Sequence, residues 1–315
     1  MTAGRRTRLV IPEGVDAVRL AAEGREVALT NLRKPFWPAI GLTKRHLLQY
    51  YADVAPVLLP HVRDRAMVMK RYPHGAAGAH FFMKRAPTPR PSWLRVCPIE
   101  HGSKGTIDFP VIDDLPSLLW VINLGCIDLN QWYARCDDTG RPDYLHFDLD
   151  PGTDVPFARV REAALVMRDA LVALRMRPVV KTSGSKGMHV YVPIVRGPDQ
   201  KTVWQFARAL AVEMASRHKA LLTAEYRVVR RPPGRVLVDY NQNAWGRTLA
   251  SVYSVRPTPQ ATVSMPVRWE EVEAGVELGD FTMANVPSRI AREGDLWKGL
   301  LAQRGRVNLG RWFGG

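Results

Sequence analysis

Residues 146–152, HFDLDPG, place two aspartates one residue apart in an apolar stretch. In a strand successive side chains point to opposite faces, so Phe147 and Leu149 would lie on one face and Asp148 and Asp150 on the other. The Cα atoms of the two aspartates would be about 6.5–7 Å apart. At that distance each carboxylate raises the pKa of the other unless a positive charge lies between them. The segment predicts either a strand that binds a divalent cation or a half-exposed strand with two solvated acids.

A third acid favours the cation. In RVLVDYNQN, Asp239 ends a predicted strand whose alternation puts Arg235, Leu237 and Asp239 on one face. Three acids at strand ends could converge on one or two cations, and carboxylate oxygens suit Mg²⁺ or Mn²⁺.

The segment KTSGSKGMHVYVPI predicts a site for an anion such as phosphate. Two glycines free the backbone to bring N–H groups close to an anion, and hydroxyls and a lysine add donors. It is not a P-loop, because the GxxxxGK[ST] spacing is absent and a strand follows. An ordinary polar turn and a structural histidine remain the alternative. The candidate groups are Ser183, Gly184, Ser185, Lys186, Gly187 and His189.

Two arginines follow Asp239 in NAWGRTLASVYSVRP. Arg247 and Arg256 would be placed to hold phosphates of a metal-bound substrate, since guanidinium groups bind phosphate oxygens bidentately. Either could instead be an ordinary surface arginine.

Composition indicates a folded protein with a polyanionic partner. Of 315 residues 46% are hydrophobic, and 45 Lys and Arg against 30 Asp and Glu give a net charge of +15. Nucleic acid, or a nucleotide, is the expected partner, although a generally arginine-rich proteome would give the same balance. No apolar run reaches the roughly 18–20 residues of a membrane span, and the start MTAGRRTRLV lacks a secretory core, so we expect a cytoplasmic protein. Cys97, Cys126 and Cys136 are expected to be reduced and mostly buried.

Hydrophobic periodicity predicts helices over 45–59, 115–135, 160–174 and 203–214. Strands are predicted at PVVKT, MHVYVPI and VLVDY. From about residue 140 the order strand–helix–strand–strand–helix–strand indicates a mixed sheet covered by helices. We expect a basic, helix-rich portion over 1–139, a catalytic core over 140–274 and an appendage over 275–315 with a short helix in RIAREGDLWKGLL, all forming one compact domain.

Together these segments resemble the archaeo-eukaryotic primase superfamily, most closely the polymerase domain of bacterial end-joining ligase D and its stand-alone primase-polymerase relatives. The DLD of Asp148 and Asp150, the S-x-x-x-x-x-H from Ser183 to His189 and the VLVD ending at Asp239 match the family's three motifs in order and spacing. The resemblance implies an α+β fold: an RRM-like core of mixed and antiparallel sheets covered by helices, with a basic N-terminal module. It implies metal binding by the three aspartates and nucleotide binding by Ser183, Lys186, Gly187, His189, Arg247, Arg256 and Asn130.

The resemblance extends to the front portion. It implies a pocket for the 5′-phosphate of a DNA end at Asn31, Lys34 and Lys44, and template contacts at Arg71, Phe81 and Phe82. Cations interleaved with aromatics also suit phosphate contacts and base stacking on general grounds; the alternative is that the two phenylalanines are core residues. One departure is Asn130, which stands where the family commonly has a histidine on the helix before motif one. Asparagine can donate a hydrogen bond to phosphate but cannot become cationic.

The function implied is template-directed nucleotidyl transfer that extends primers and fills short gaps during end joining or excision repair, with Mn²⁺ (or Mg²⁺) and a bias toward ribonucleotides. The expected partners are gapped or end DNA with a 5′-phosphate, NTPs or dNTPs, a separate ligase and an end-binding protein, at the bacterial nucleoid and away from membranes. No K-x-[DN]-G ligase motif occurs in the chain. De novo priming, a non-catalytic DNA-end-binding module that recruits a ligase, and a metal-dependent phosphodiesterase remain alternatives.

Overall fold

Two β-sheets meet at the centre of the molecule. The computed structural model describes residues 8–102 and 105–312, and in this part the strands form a six-stranded sheet, a four-stranded sheet and three two-stranded hairpins. The strands are β1 Ala17–Ala22, β2 Arg25–Thr30, β3 Pro35–Trp37, β4 Leu42–Thr43, β5 Met67–Arg71, β6 Phe81–Met83, β7 Val96–Glu100, β8 Thr106–Pro110, β9 Cys126–Gln131, β10 Tyr144–Pro151, β11 Val179–Thr182, β12 Met188–Pro193, β13 Leu222–Thr223, β14 Val236–Asp239, β15 Leu249–Ala250 and β16 Pro266–Val267. The α-helices are α1 Lys44–Val62, α2 Leu115–Asn123, α3 Phe157–Ala173, α4 Gln200–Arg217, α5 Trp269–Glu273, α6 Val286–Glu293 and α7 Lys298–Leu301.

The six-stranded sheet has the order β13-β14-β10-β12-β11-β16, and all its pairs are antiparallel except β13 with β14. Helices α3 and α4 pack against β10 and β14. Their buried stripes, which include Val160 and Met167 on α3 and Phe206 on α4, join the apolar side chains of β10 in one hydrophobic core. Burial of these stripes removes apolar surface from water and holds the helices on the sheet. The predicted α+β class is confirmed.

The four-stranded sheet has the order β15-β9-β5-β6 and is antiparallel throughout. Helix α2 packs against both α1 and β9. The Nζ atom of Lys181 on β11 donates a hydrogen bond of 2.9 Å to the carbonyl of Ala250 on β15. This bond ties β11, an inner strand of the six-stranded sheet, to β15 at the edge of the four-stranded sheet.

Most predicted elements are confirmed. The helices predicted at 45–59, 160–174 and 203–214 lie within or nearly within α1, α3 and α4, and the three predicted strands are β11, β12 and β14. Cys97 and Cys126 are buried, Cys136 is partly buried, and all three are free thiols. One core cluster contains residues from all three predicted parts of the chain, such as Leu47, Val190 and Leu300; the division itself stays a prediction. No helix in the described part is long and apolar enough to cross a lipid bilayer.

The single helix predicted over 115–135 is wrong. Helix α2 ends at Asn123, Gly125 takes a φ of +80°, and residues 126–131 form β9. Every residue of β9 is buried. Ile127, Asp128, Leu129 and Asn130 alternate apolar and polar side chains, as a strand does. The prediction was wrong because it continued the apolar run of α2 past Gly125. The C-terminal segment likewise forms two helices, α6 and α7, because Gly294 with a φ of +70° ends the first.

A buried ion pair joins the end of α1 to the start of β10. Arg65 is 1% exposed and donates two hydrogen bonds from Nη2 to the carboxylate of Asp143, at 2.7 and 2.8 Å. Its Nη1 donates to the carbonyl of Tyr133 at 2.7 Å, and Arg135 donates to the same carboxylate at 3.0 Å. Removal of one partner from such a pair leaves a buried charge without compensation.

We therefore expect Asp143→Ala to lower the free energy of unfolding by about 3–5 kcal/mol, measured by urea denaturation. Glu26→Ala, which breaks the exposed Arg19–Glu26 pair, is the matched control and should have a much smaller effect because water screens that pair. Equal losses in the two variants would contradict the role given to the Arg65–Asp143 pair.

Candidate active site

Four neighbouring strands align a row of polar side chains on one face of the six-stranded sheet. Asp148 on β10 lies directly opposite Asp239 on β14 and, on its other side, opposite His189 on β12, which in turn lies opposite Lys181 on β11. Residues directly opposite each other in a sheet point to the same face. All four side chains are buried, with between 0% and 6% of their surface exposed.

Three carboxylates converge at one end of this row. Ligand oxygens of Asp148, Asp150 and Asp239 all lie within 4.8 Å of one another. Burial, together with the charges of the other two carboxylates, raises the pKa of Asp150. Burial also raises the pKa of Asp148 and of Asp239 above the usual range.

The donor set fits a hard divalent cation. The Oδ1 atom of Asp148 is buried without a hydrogen-bond partner, whereas Asp239 is oriented by the N–H of Asn241 at 2.8 Å and by the side-chain amide of Gln242 at 2.9 Å. Oxygen ligands that repel one another in the absence of a cation suit Mg²⁺ or Mn²⁺.

Asp148 and Asp150 line a cleft of about 190 Å³ between the two sheets. One wall comes from the six-stranded sheet and its SGSKG loop, and the other from β9, β15 and the segment around them. The lining residues are Asn130, Asp148, Asp150, Ser183, Ser185, Lys186, His189, Thr248, Leu249, Ala250 and Arg256. The structure therefore brings most of the predicted nucleotide-binding residues to one cleft.

The SGSKG loop is folded around the hydroxyl of Ser183. Its Oγ atom accepts hydrogen bonds from the N–H groups of Ser185, Lys186 and Gly187, at 3.2, 3.2 and 2.9 Å. The expectation that these N–H groups point at an anion is wrong, since they are satisfied within the loop. The side chains of Ser185 and Lys186 are exposed and remain the loop's groups for anion binding.

Both loop glycines allow close approach. A Cβ atom at Gly187 would lie 2.1 Å from the carbonyl oxygen of Leu149, the residue between the two β10 aspartates. Gly184 has a φ of +67°, and a Cβ there would lie 2.7 Å from Cγ of Arg256. The loop thus touches the metal-binding strand at one glycine and the arginine of the cleft at the other.

His189 lies inside the site. Its Nε2 atom is 3.2 Å from Oδ1 of Asp148, and its Nδ1 atom is buried without a partner. Burial, with the charges of Lys181 and Arg256, lowers the pKa of His189 well below its usual value. The imidazole is therefore neutral at neutral pH and has one N–H to donate.

Lys181 is a site residue that the sequence analysis missed. It is fully buried, and its Nζ donates to the carbonyl of Ala250 at 2.9 Å and to the hydroxyl of Ser264. Burial and then Arg256 lower the pKa of Lys181, while Asp148 opposes that shift. A lysine in the otherwise apolar strand PVVKT is unusual and could have indicated a functional residue. Only its cross-strand pairing with His189 shows that it belongs to the row of polar side chains.

Two other predicted nucleotide-binding residues are less central. Arg247 is exposed and does not line the cleft, yet its charge opposes the rise that burial causes in the pKa of Asp239. Asn130 lines the cleft from β9, so the expectation that it lies on a helix is wrong. Its side-chain amide donates to the carbonyl of Asp128 at 3.3 Å.

The front portion brings Asn31, Lys34 and Lys44 together. The N–H of Lys34 donates to the carbonyl of Asn31, the N–H of Lys44 to the carbonyl of Lys34, and Nζ of Lys44 to the carbonyl of Thr30, at 3.1, 2.9 and 2.7 Å. Lys44 is 4% exposed. Burial, then the charge of Lys34, lowers the pKa of Lys44 to about 8. Crowded cations of this kind favour an anion between them.

Arg71 and the two phenylalanines form an exposed cation–aromatic surface beside this cluster. Arg71 pairs with Phe81 across β5 and β6, and its guanidinium carbon lies 5.2 Å from the ring centroid. Phe81 is 42% and Phe82 61% exposed. The alternative that both are core residues is therefore wrong, and their faces are accessible to a nucleobase.

The comparisons with known proteins decide the family. The family model for the LigD primase-polymerase domain matches residues 43–297. The chain belongs to this family. It is 34% identical over 284 residues to the multifunctional non-homologous end joining DNA repair protein LigD of Mycobacterium tuberculosis, covering 88% of this chain and 37% of the relative. It is 28% identical over 272 residues to the bifunctional LigD of Bacillus subtilis, covering 85% of this chain and 43% of the relative.

A solved structure supports the same family assignment. The polymerase domain of Mycobacterium tuberculosis ligase D in complex with DNA superposes with a TM-score of 0.82 and 32% identity, over 88% of this chain and 98% of that chain. The chain spans less than half the length of these curated relatives but nearly all of the solved polymerase domain. The resemblance inferred from the three motifs is confirmed: the chain is a primase-polymerase domain of the LigD type. The roles of individual residues stay predictions.

The contact between Gly187 and Leu149 yields a test of the site. We expect Gly187→Ala to weaken Mn²⁺ binding at least about tenfold, because a Cβ 2.1 Å from a backbone oxygen forces β10 to shift and moves the aspartates on both sides of Leu149. Isothermal titration calorimetry with Mn²⁺ measures the dissociation constant. Gly197→Ala is the matched control, since no atom lies within 4 Å of a Cβ at that position. Unchanged Mn²⁺ affinity in Gly187→Ala would contradict the argument.

Proposed function

We propose that this chain extends the 3′-hydroxyl end of a primer strand opposite a DNA template and fills short gaps during end joining or excision repair. The observation that carries the proposal is the meeting of three carboxylates from two paired strands beside a cleft lined by cations. Positioning and charge neutralisation are what phosphoryl transfer requires from a protein.

In this proposal Asp148, Asp150 and Asp239 hold the catalytic divalent cation, Mn²⁺ by preference or Mg²⁺. A cation bound there supplies neutralisation of the triphosphate and a lower pKa for the primer hydroxyl. The chain's own contribution is to hold the carboxylates at fixed spacing. Hydrogen bonds from Asn241 and Gln242 to Asp239 support this role.

The cleft binds the nucleotide triphosphate. Lys186 and Arg256 offer positive charge, and the hydroxyls of Ser183 and Ser185 and the neutral ring of His189 offer hydrogen bonds. Arg247 contributes a longer-range charge near Asp239. Asn130 and Gly187 complete the set, Asn130 by an amide in the lining and Gly187 by the close packing of the loop. We propose a bias toward ribonucleotides on the basis of family membership.

DNA lies across the front portion. Asn31, Lys34 and Lys44 bind the 5′-phosphate at the far side of a gap, and Arg71, Phe81 and Phe82 hold the template strand. The relatives' names associate them with non-homologous end joining, and the neighbouring structure contains DNA. A ligase and an end-binding protein, separate or part of a longer product, are the proposed partners, and the cytoplasmic nucleoid is the proposed location.

Primer extension on gapped DNA tests the catalytic role. Asp148→Ala and Asp239→Ala should each abolish nucleotide addition and leave binding to gapped DNA within a few-fold, because the acids act on the metal and not on the DNA. Parallel reactions with ribo- and deoxynucleotides, and with manganese and magnesium, measure the preferences.

The same assay separates the alternatives. Product from unprimed template would favour a de novo primase, and release of nucleotides without added triphosphates would favour a phosphodiesterase. Retained synthesis in Asp148→Ala would indicate a DNA-end-binding module. Loss of DNA binding in that variant would mean that the acids are structural.

A pH titration tests the phosphate pocket. Burial, then the charge of Lys34, lowers the pKa of Lys44 to about 8, Asp16 opposes the shift and Arg71 adds to it. It is cationic below that pH and neutral above it, whereas a terminal phosphate with a second pKa near 6 stays dianionic. We expect the preference for a 5′-phosphorylated gap to fall between roughly pH 8 and 9.5, the drop lying above pH 8 because bound phosphate raises the pKa of the lysine.

The measurement is the ratio of the equilibrium affinities for phosphorylated and unphosphorylated gapped DNA at each pH. The unphosphorylated DNA corrects for the titration of groups outside the phosphate pocket. In Lys44→Ala the ratio should be small and independent of pH. A wild-type ratio that stays constant from pH 7 to 10 would refute the assignment.

A further inference from the structure

Asp128 is a buried carboxylate with no ordinary hydrogen bond. It lies on β9, is 1% exposed, and neither of its side-chain oxygens has a hydrogen-bond partner. Burial raises the pKa of Asp128, while Arg256 and then Lys70 lower it. A buried carboxylate without hydrogen bonds is costly, so its presence requires a reason.

Two cations approach the same oxygen of Asp128 from opposite parts of the proposed site. The Nη1 atom of Arg256 lies 3.7 Å from Oδ2, and Nζ of Lys70 lies 3.8 Å from it. Both distances are too long for a hydrogen bond. The carboxylate therefore attracts the two cations electrostatically, and their N–H groups stay free to bind a ligand. Lys70 is also the direct cross-strand partner of Asp128.

The two cations belong to different subsites. Arg256 lines the cleft beside the metal-binding acids and packs against Gly184 of the SGSKG loop. Lys70 precedes Arg71 on β5 and lies 5.6 Å from the ring centroid of Phe82 on β6. Without a negative charge between them the two cations would repel each other, and Arg256 would have no ion-pair partner among the described residues.

We propose that Asp128 is a positioning residue that holds Arg256 in the orientation needed to bind the nucleotide triphosphate, with Lys70 sharing its charge. This inference rests on the proposed function of the cleft. Asp128 touches neither nucleotide nor metal and acts through Arg256. The Nε atom of Arg256 is itself buried without a partner, so Asp128 supplies a restraint that no hydrogen bond from that nitrogen provides.

A purely structural role for Asp128 would have a different signature. It would lower the melting temperature and the activity together, and its effect would multiply with the effect of any change at Arg256. A positioning role raises the KM for nucleotide with little change in kcat, and the effect disappears once Arg256 is removed.

The experiment is a double-mutant cycle in primer extension at saturating gapped DNA and Mn²⁺, with melting temperatures recorded for each variant. Asp128→Asn keeps the shape and removes the charge; Asp128→Glu restores the charge. Arg256→Ala and the double variant Asp128→Asn, Arg256→Ala complete the cycle. We expect Asp128→Asn to raise the KM for nucleotide roughly tenfold with little change in kcat, and Asp128→Glu to recover a substantial part of the loss.

The double variant should have the same KM as Arg256→Ala alone. Multiplied effects, or an unchanged KM in Asp128→Asn while Arg256→Ala raises it, would overturn the inference and leave the proposed function intact. An unchanged KM in Arg256→Ala would instead remove the triphosphate role of that arginine. A raised KM in Asp128→Asn would then show that Asp128 acts by another route, which also overturns the inference.

Discussion

The antiparallel pairing of β10 with β14 sets Asp148 directly against Asp239 in a part of the sheet that water barely reaches. Like charges at that distance in a poorly polarisable environment repel strongly. The surroundings offset part of this repulsion: the charges of Lys181 and Arg256 limit the rise in the pKa of Asp148, and those of Arg231 and Lys186 limit the rise in the pKa of Asp150. A divalent cation between the carboxylates would turn the repulsion into attraction, so the arrangement fits a metal site.

The SGSKG loop and Arg256 reach the row of buried polar side chains only because the backbone of the loop can approach it closely. Gly187 lets the SGSKG loop touch the strand between the two β10 aspartates, and Gly184 leaves space for Arg256. Ser183 closes the loop by accepting three backbone N–H groups. The loop therefore forms a wall of the cleft whose exposed Ser185 and Lys186 side chains are its proposed groups for anion binding. Loops that cradle phosphate with free backbone donors differ in this respect.

Positive charge is concentrated and not simply abundant. Many arginines are engaged by acids, as Arg65 is by Asp143 and Arg168 by Glu273, and contribute little to attraction of a polyanion. The cations that matter are those brought close to one another, such as Lys34 and Lys44, where burial and mutual repulsion lower a lysine pKa into the physiological range. Net charge indicates a polyanion partner, and this crowding supports the place proposed for its binding.

The sequence alone determined the motifs and their chemistry, because strand alternation and residue type are local properties. Asp148, Asp150 and Asp239, the serine-to-histidine spacing and most helices were predictable for that reason. The alternation of apolar and polar residues over 127–130 also indicated β9, although the helix prediction ran through it. The sequence could not determine the direction of the loop N–H groups, which depends on the position of the Ser183 hydroxyl. Lys181 and Asp128 could not be identified from the sequence either, because their proposed roles depend on strand register and on cations contributed by segments far along the chain. Only the tertiary structure brings Lys70, Asp128 and Arg256 within ion-pair distance. Such contacts depend on the register of β5 with β9 and on the packing of a segment more than 120 residues along the chain, which no local pattern encodes.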